Sequence, residues 1–302
     1  MQKIVFFVGL IPAASGLLSP SLALAAGLVY GLTLAHPYHL ESRRLSKFLL
    51  QASVVDLGFG MNLAEVLKVG RSGFLYTAGS ITGAMLLGLA IGHWLRAERT
   101  PSFLVTVGTV MCGGSAIAAV GPMEEEMAVA LGTVFLLNSI ALLLFPALGW
   151  AQHLSQTQFG LWSALAIHDT SSVVGATAKY GAVALSVGTI VKLARALWIV
   201  PVSVLTSMFM KSKSRIQWPW FIGLFCLAAM ANTYVPFFCF AYPVLSHLGR
   251  LGVTVTLFLI GTGLSAATLR QVGVRPLLQG VLLWAIVALG SLLPIVPGWI
   301  RR

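Results

Sequence analysis

Eleven apolar stretches follow one another along the chain, joined by short polar segments. They cover residues 4–18, 20–36, 45–69, 73–95, 101–122, 127–150, 159–178, 183–210, 218–238, 248–269 and 276–300. Most approach the roughly 20 residues that a helix needs to cross a bilayer. The runs are long and do not alternate apolar with polar residues, which argues against a membrane β-barrel. The expected fold is an all-α polytopic membrane protein with about 11 transmembrane helices. Two stretches are irregular. The fifth carries Gly108, Gly113, Gly114, Ser115, Gly121 and Pro122, and the seventh carries His168-Asp169-Thr170-Ser171-Ser172.

Composition agrees with the hydropathy profile. The chain has 302 residues, of which 58% are hydrophobic and 9% charged, against about 25% charged in an ordinary soluble domain. Mean hydropathy is +0.91. The net charge of +11 would suggest nucleic acid in a soluble protein. Here the basic residues lie mostly in short joints and are not interleaved with aromatics, so topology explains them better. With the N-terminus inside, 11 of the 19 basic residues fall in inside joints and 5 outside. That bias favours a cytoplasmic N-terminus, a periplasmic C-terminus and a multi-pass location in a bacterial inner membrane. The first stretch partly resembles a signal peptide, but the second begins at once, so it is read as a retained helix.

Candidate chemistry concentrates at the two irregular stretches. Glycine costs a helix about 1 kcal/mol relative to alanine. Backbone groups freed within a membrane must be buried in protein or face a wet cavity. Gly113-Gly114-Ser115 therefore predicts a broken helix, with Cys112 beside it, whose N–H groups and hydroxyl face a solute. A half-helix starting there would present its positive end to an anion. Close packing of small residues is the competing reading.

Asp169 within a span costs roughly 2.5–3.5 kcal/mol unless paired or hydrated. It is read either as a structural partner of His168 or a basic group, or as part of a proton or cation relay, with His168 titrating near neutrality. Thr170, Ser171 and Ser172 add hydroxyls. Lys192 and Arg195 share a helix face. They either pair structurally, with Asp169 as one partner, or balance the charge of a solute. Thr262, beside Gly261 and Gly263, is a further solute contact. Asp56, Asn62, Asn138 and Asn232 read more readily as helix-to-helix hydrogen bonds than as ligands. Cys112, Cys226 and Cys239 form no metal motif and imply no disulfide framework. No phosphate loop, dinucleotide fingerprint or zinc-protease motif is present, so the chain is not expected to be an enzyme.

Two internal echoes bear on organisation. Residues 60–70 resemble 261–273, and these spans run in opposite directions, as an inverted repeat requires. Residues 128–133, after the fifth stretch, resemble 183–189, after the seventh. That second pair runs in one direction in the assigned topology, so it reflects either chance or a miscounted span. The expected division is a single transporter domain over 1–302. It comprises an extra N-terminal helix at 1–19, a first repeat at 20–150 and a second at 151–302, a 5+5 inverted repeat.

Cys112-Gly113-Gly114-Ser115-Ala116-Ile117-Ala118-Ala119 resembles the CGxSAIxA element of the bacterial sulfate exporter family. Ile167-His168-Asp169 with Val173-Val174-Gly175-Ala176 is similar to its IHExxxVVGA element, with Asp in place of Glu. Val191-Lys192-Leu193-Ala194-Arg195 resembles its VKLxR stretch, and residues 259–265 with 273–277 resemble its C-terminal part. The resemblance runs in order from about residue 20 to the C-terminus. It implies the architecture of cation/proton antiporters and bile-acid sodium symporters: a panel and a core domain, with two broken helices crossing. The expected activity is secondary active transport of a small anion, sulfate or an organosulfonate, by alternating access. Cys112, Gly113, Gly114, Ser115, His168, Ser171, Ser172 and Thr262 would bind the solute, and Asp169, Lys192 and Arg195 would couple or balance charge. No cofactor or metal is expected beyond a coupling proton or sodium ion. The expected partners are the small anionic solute and the lipid bilayer, with a homodimer as an option and no nucleic acid. The alternatives are a channel, a sodium-coupled organic-anion symporter of the bile-acid type, and a non-transporting membrane partner or intramembrane enzyme.

Overall fold

A computed structural model describes residues 2–34, 38–114, 116–117, 124–201, 219–263 and 273–295. Among these residues the chain is helical, with no strand. The helices are α1 (Gln2–Ala14), α2 (Pro20–Thr33), α3 (His39–Gly58), α4 (Leu63–Trp94), α5 (Arg99–Val110), α6 (Glu124–Ala151), α7 (Gln156–Ala166), α8 (Thr170–Tyr180), α9 (Ala182–Ala196), α10 (Trp220–Tyr234), α11 (Tyr242–Thr262) and α12 (Val274–Leu292). Four are long and apolar enough to cross a membrane: Val129–Ala151, Ala182–Pro201, Tyr242–Thr262 and Val274–Leu292. Gln2–Ala14, Pro20–Thr33 and Trp220–Tyr234 are shorter apolar helices.

Helix starts follow local capping chemistry. Ser19 caps α2, with Pro20 in the first turn, where its missing N–H costs nothing. Ser155 and Gln158 form a reciprocal capping box at α7, satisfying two donors at once. Asn62 Oδ1 accepts from Ala64 N at 2.8 Å and starts α4. That cap corrects the expected third span. Its helix ends at Gly58, and residues 63–69 open the next helix instead.

The helices pack in two groups. One comprises α4, α5, α6, α7, α8, α9 and α12. The other comprises α1, α2, α3, α10 and α11. Helix α8 touches α2 and α11, and α10 touches α4, so the groups meet along these contacts. Small residues allow the tight crossings in the second group. A Cβ on Gly261 would lie 2.7 Å from Leu24 O, and one on Gly249 2.8 Å from Ser53 O. Glycine lets α11 approach α2 and α3 that closely. The main apolar core spans both groups, from Leu24, Val54 and Leu257 to Val110, Cys112 and Val174.

The fifth and seventh stretches are both interrupted. Helix α5 ends at Val110, Met111 and Gly113 turn the chain, and helical hydrogen bonding resumes with Ile117 N to Gly113 O. Gly113 adopts φ +60°, a conformation that costs other L-residues about 1–2 kcal/mol. The seventh stretch is two helices, α7 and α8, separated by extended backbone at Ile167 and Asp169. The helices that follow the two breaks, α6 and α9, carry the second internal echo near their starts.

Candidate functional site

A broken helix leaves carbonyls unsatisfied on one side of the gap and N–H groups on the other. Side chains satisfy the carbonyl side of both gaps and the N–H side of the second. Lys192 and Arg195, three residues apart on α9, point into the carbonyl ends of α5 and α7. Lys192 Nζ donates to Met111 O at 3.1 Å and Ile167 O at 2.8 Å. Arg195 Nε donates to Val110 O at 2.7 Å, and Nη2 reaches the same oxygen. Arg195 Nη1 donates to Leu165 O at 2.6 Å and Ala164 O at 3.4 Å. Both side chains are fully buried. A charge at such depth is costly in a membrane. The aligned C-terminal carbonyls, each helix end carrying about half a negative charge, offset that cost.

The N–H side of the second break is held by Asn138 of α6 and by Asp169. Asn138 Oδ1 accepts from His168 N at 3.0 Å and Asp169 N at 3.3 Å. Asp169 caps α8, accepting from Ser171 N at 3.1 Å, Ser172 N at 3.3 Å and the Ser171 hydroxyl. Its carboxylate is thus the anion at the positive end of α8. His168 is 1% exposed, and among the described residues neither of its ring nitrogens has a hydrogen-bond partner; the same holds for Asn138 Nδ2.

A cavity of about 320 Å³ lies beside the two breaks. The first helix group lines it with Cys112, Gly114, Leu131, Phe135, Asp169, Thr170, Ala196 and Ile199. The second group lines it, together with Pro219, through Ser46, Lys47, Leu50, Gln51, Val54, Phe221 and Ile260. The cavity therefore sits between the two groups.

The structure sorts the expected site residues. Cys112, Gly114 and Asp169 line the cavity, and Gly113 makes the turn beside it. His168, Ser171 and Ser172 belong to the second break but are buried off the lining. Lys192 and Arg195 are also off the lining. Their donors go to backbone carbonyls. Asp169 is not their hydrogen-bonding partner, since its carboxylate turns to α8. Thr262 is likewise off the lining, and its hydroxyl donates to Leu259 O at 2.8 Å. Ser115 lies outside the described residues. Lys47 and Gln51 are lining residues that the sequence does not single out, and Thr170 of the irregular seventh stretch lines the cavity as well. The first two share one α3 face with Leu50 and Val54, at helical spacing. No group of three or more His, Cys, Asp or Glu side chains able to hold a metal occurs among the described residues, and no cysteine is in a disulfide.

Comparison with known proteins agrees with a membrane location. The chain is 49% identical over 290 residues to a UPF0324 membrane protein of Bacteroides thetaiotaomicron, covering 93% of this chain and 87% of that one. It is 47% identical over 312 residues to a UPF0324 membrane protein of Bdellovibrio bacteriovorus, covering 100% and 96%. A Geobacter sulfurreducens UPF0324 membrane protein is 46% identical over 281 residues, covering 92% and 91%. No solved structure matches. Residues 3–280 match the family described as Conserved hypothetical protein 698, and the chain is a membrane protein belonging to that family.

Proposed function

We propose that this membrane protein is a secondary carrier of a small organic anion, with an organosulfonate favoured over bare sulfate. One observation carries the reading. A cavity of about 320 Å³ lies between two helix groups, and two interrupted helices form part of its wall. Carriers that work by alternating access place their solute between such bodies, beside discontinuous helices. The volume is at the lower end of the range of small-molecule pockets, about 300–1,000 Å³.

The lining favours an amphipathic solute. Leu50, Val54, Leu131, Phe135, Ile199, Phe221 and Ile260 give apolar walls, while Lys47, Gln51 and Thr170 supply a cation and neutral polar groups. Sulfate demands a dense shell of donors, because losing water from an ion is expensive. An organic anion needs donors only at its head. Asp169 opposes an anion by its charge, but Ser171 and Ser172 already donate to its carboxylate.

Purified protein in proteoliposomes tests this with labelled ethanesulfonate and labelled sulfate. Saturable ethanesulfonate uptake is expected in the wild type. It should be lost in Leu131→Trp, which fills the cavity, at an unchanged melting temperature. Equal flux in that variant, or no flux of either anion in the wild type, would sink the reading. Flux that collapses only when sodium is withdrawn would move the assignment to a sodium-coupled symporter.

A further inference from the structure

Five backbone carbonyls, of Val110, Met111, Ala164, Leu165 and Ile167, converge from two helix ends on two side-chain cations. In carriers with discontinuous helices, unwound carbonyls and half-helix C-terminal ends are the groups that coordinate coupling cations. In this chain covalently attached charges occupy that place. Arg195 reaches carbonyls of both helix ends through its planar guanidinium. Lys192 does something different. Its ammonium, a compact point charge, lies between one carbonyl of each break, 3.1 Å from Met111 O and 2.8 Å from Ile167 O. An ion bound between the two breaks would sit in that position.

We infer that Lys192 is a tethered cation. Its ammonium holds the place between Met111 O and Ile167 O that a coupling alkali cation would otherwise take, so the junction of the two breaks needs no sodium. The side chain joins the two interrupted helices, and its ammonium offsets the partial negative charge of their carbonyl ends from a position it cannot leave. Only the consequence for transport rests on the carrier reading; the site itself is a property of the folded protein. Truncating the side chain should therefore uncover a vacancy that a small free cation can enter.

The test uses full-length protein purified in detergent, melted in the chlorides of sodium, lithium, potassium, methylammonium and choline at equal ionic strength. The wild type should melt at one temperature in all five. Lys192→Ala should melt lower in choline and regain about 2–4 °C in methylammonium or an alkali cation, because a ligand bound only by the native state stabilises it. Lys192→Met keeps the packing volume without the charge and should melt below the wild type in choline. A wild type stabilised by sodium but not by choline overturns the proposal. So does Lys192→Met with wild-type yield and melting temperature in choline, or Lys192→Ala that recovers equally in every salt. If Lys192→Ala cannot be purified, the wild-type and Lys192→Met measurements decide alone. Absence of folded Lys192→Met, with a wild type indifferent to alkali cations, is then the expected result. None of these readouts involves flux, so failure here is distinct from failure of the carrier reading.

Discussion

Asn138 Oδ1 accepts the backbone N–H of His168 at 3.0 Å, a contact between residues 30 apart in sequence. The same oxygen accepts Asp169 N at 3.3 Å. These donors are the ones that the break between α7 and α8 would leave orphaned inside the protein. On the other side of the gap, Lys192 takes Ile167 O, and Arg195 takes Leu165 O. The break is thus stitched on both its donor and its acceptor sides, which lets irregular backbone persist in an apolar body.

Removing that acceptor should cost stability. Asn138→Leu keeps the volume but leaves two buried N–H groups unmet, at about 1–3 kcal/mol each. The expected outcome in detergent is a clear fall in melting temperature. A variant that melts with the wild type would show that the break is held by something other than Asn138.

Arg195 should not tolerate a conservative exchange. Its guanidinium reaches Val110 O on one helix and Leu165 O on the other through separate nitrogens. Lysine keeps the charge but has a single nitrogen, so it cannot reproduce the fork. Arg195→Lys is expected to lower the melting temperature, and Arg195→Met to lower it further. The methionine variant leaves carbonyls of both α5 and α7 unpaired, at about 1–3 kcal/mol per group. Size-exclusion profiles and melting curves of both variants check the order. A lysine variant as stable as the wild type would mean that charge alone suffices.

Much of this arrangement can be read from the sequence, and the unread part has a physical cause. Gly113-Gly114 announces the first break, because glycine alone sits comfortably at φ +60°. Asp169 in an apolar run announces the second, because a carboxylate there must have donors. The spacing of Lys192 and Arg195 places them on one face. Their partners were not legible: the polar groups that satisfy them are backbone carbonyls, which every residue carries and which no sequence pattern marks. The cavity was hidden for a related reason. Half its wall comes from α3, α10 and α11, far away in the chain. The third span is misplaced when Asn62 in an apolar run is read as a helix-to-helix hydrogen bond, whereas it caps α4.

Asp169 combines two roles that substitution can separate. Its carboxylate caps α8, and the residue is part of the cavity wall. Asp169→Asn keeps an oxygen that can accept from Ser171 and Ser172 but removes the charge. Asp169→Ala removes both, with a cap loss of about 1 kcal/mol. If the solute is an anion, neutralising a like charge in the wall should tighten binding, since like charges at close range repel strongly in a site of low dielectric. The asparagine variant should therefore show a several-fold lower KM for ethanesulfonate at an unchanged melting temperature, and the alanine variant a lower melting temperature. Complete loss of flux in a stable Asp169→Asn would instead assign the carboxylate to proton or cation coupling.

Gly113 and Gly114 are adjacent, yet a methyl group should act differently on each. At Gly113 an added Cβ would meet Val134 Cγ1 at 3.4 Å and Asp169 Cβ at 3.5 Å, ordinary contact distances. The cost of Gly113→Ala is then the left-handed backbone, about 1–2 kcal/mol, or roughly 2–6 °C in melting temperature, with little change in KM. At Gly114 no such backbone conformation is required, but the Cβ would meet Leu131 Cδ2 and Phe135 Cζ at 3.1 Å. Those two side chains line the cavity, so Gly114→Ala should displace its wall and alter KM more than stability. Melting curves and ethanesulfonate kinetics on the pair decide the matter. If Gly113→Ala raised the melting temperature, the interruption at Met111–Gly113 would not be part of the working protein, and a continuous fifth helix would have to replace it.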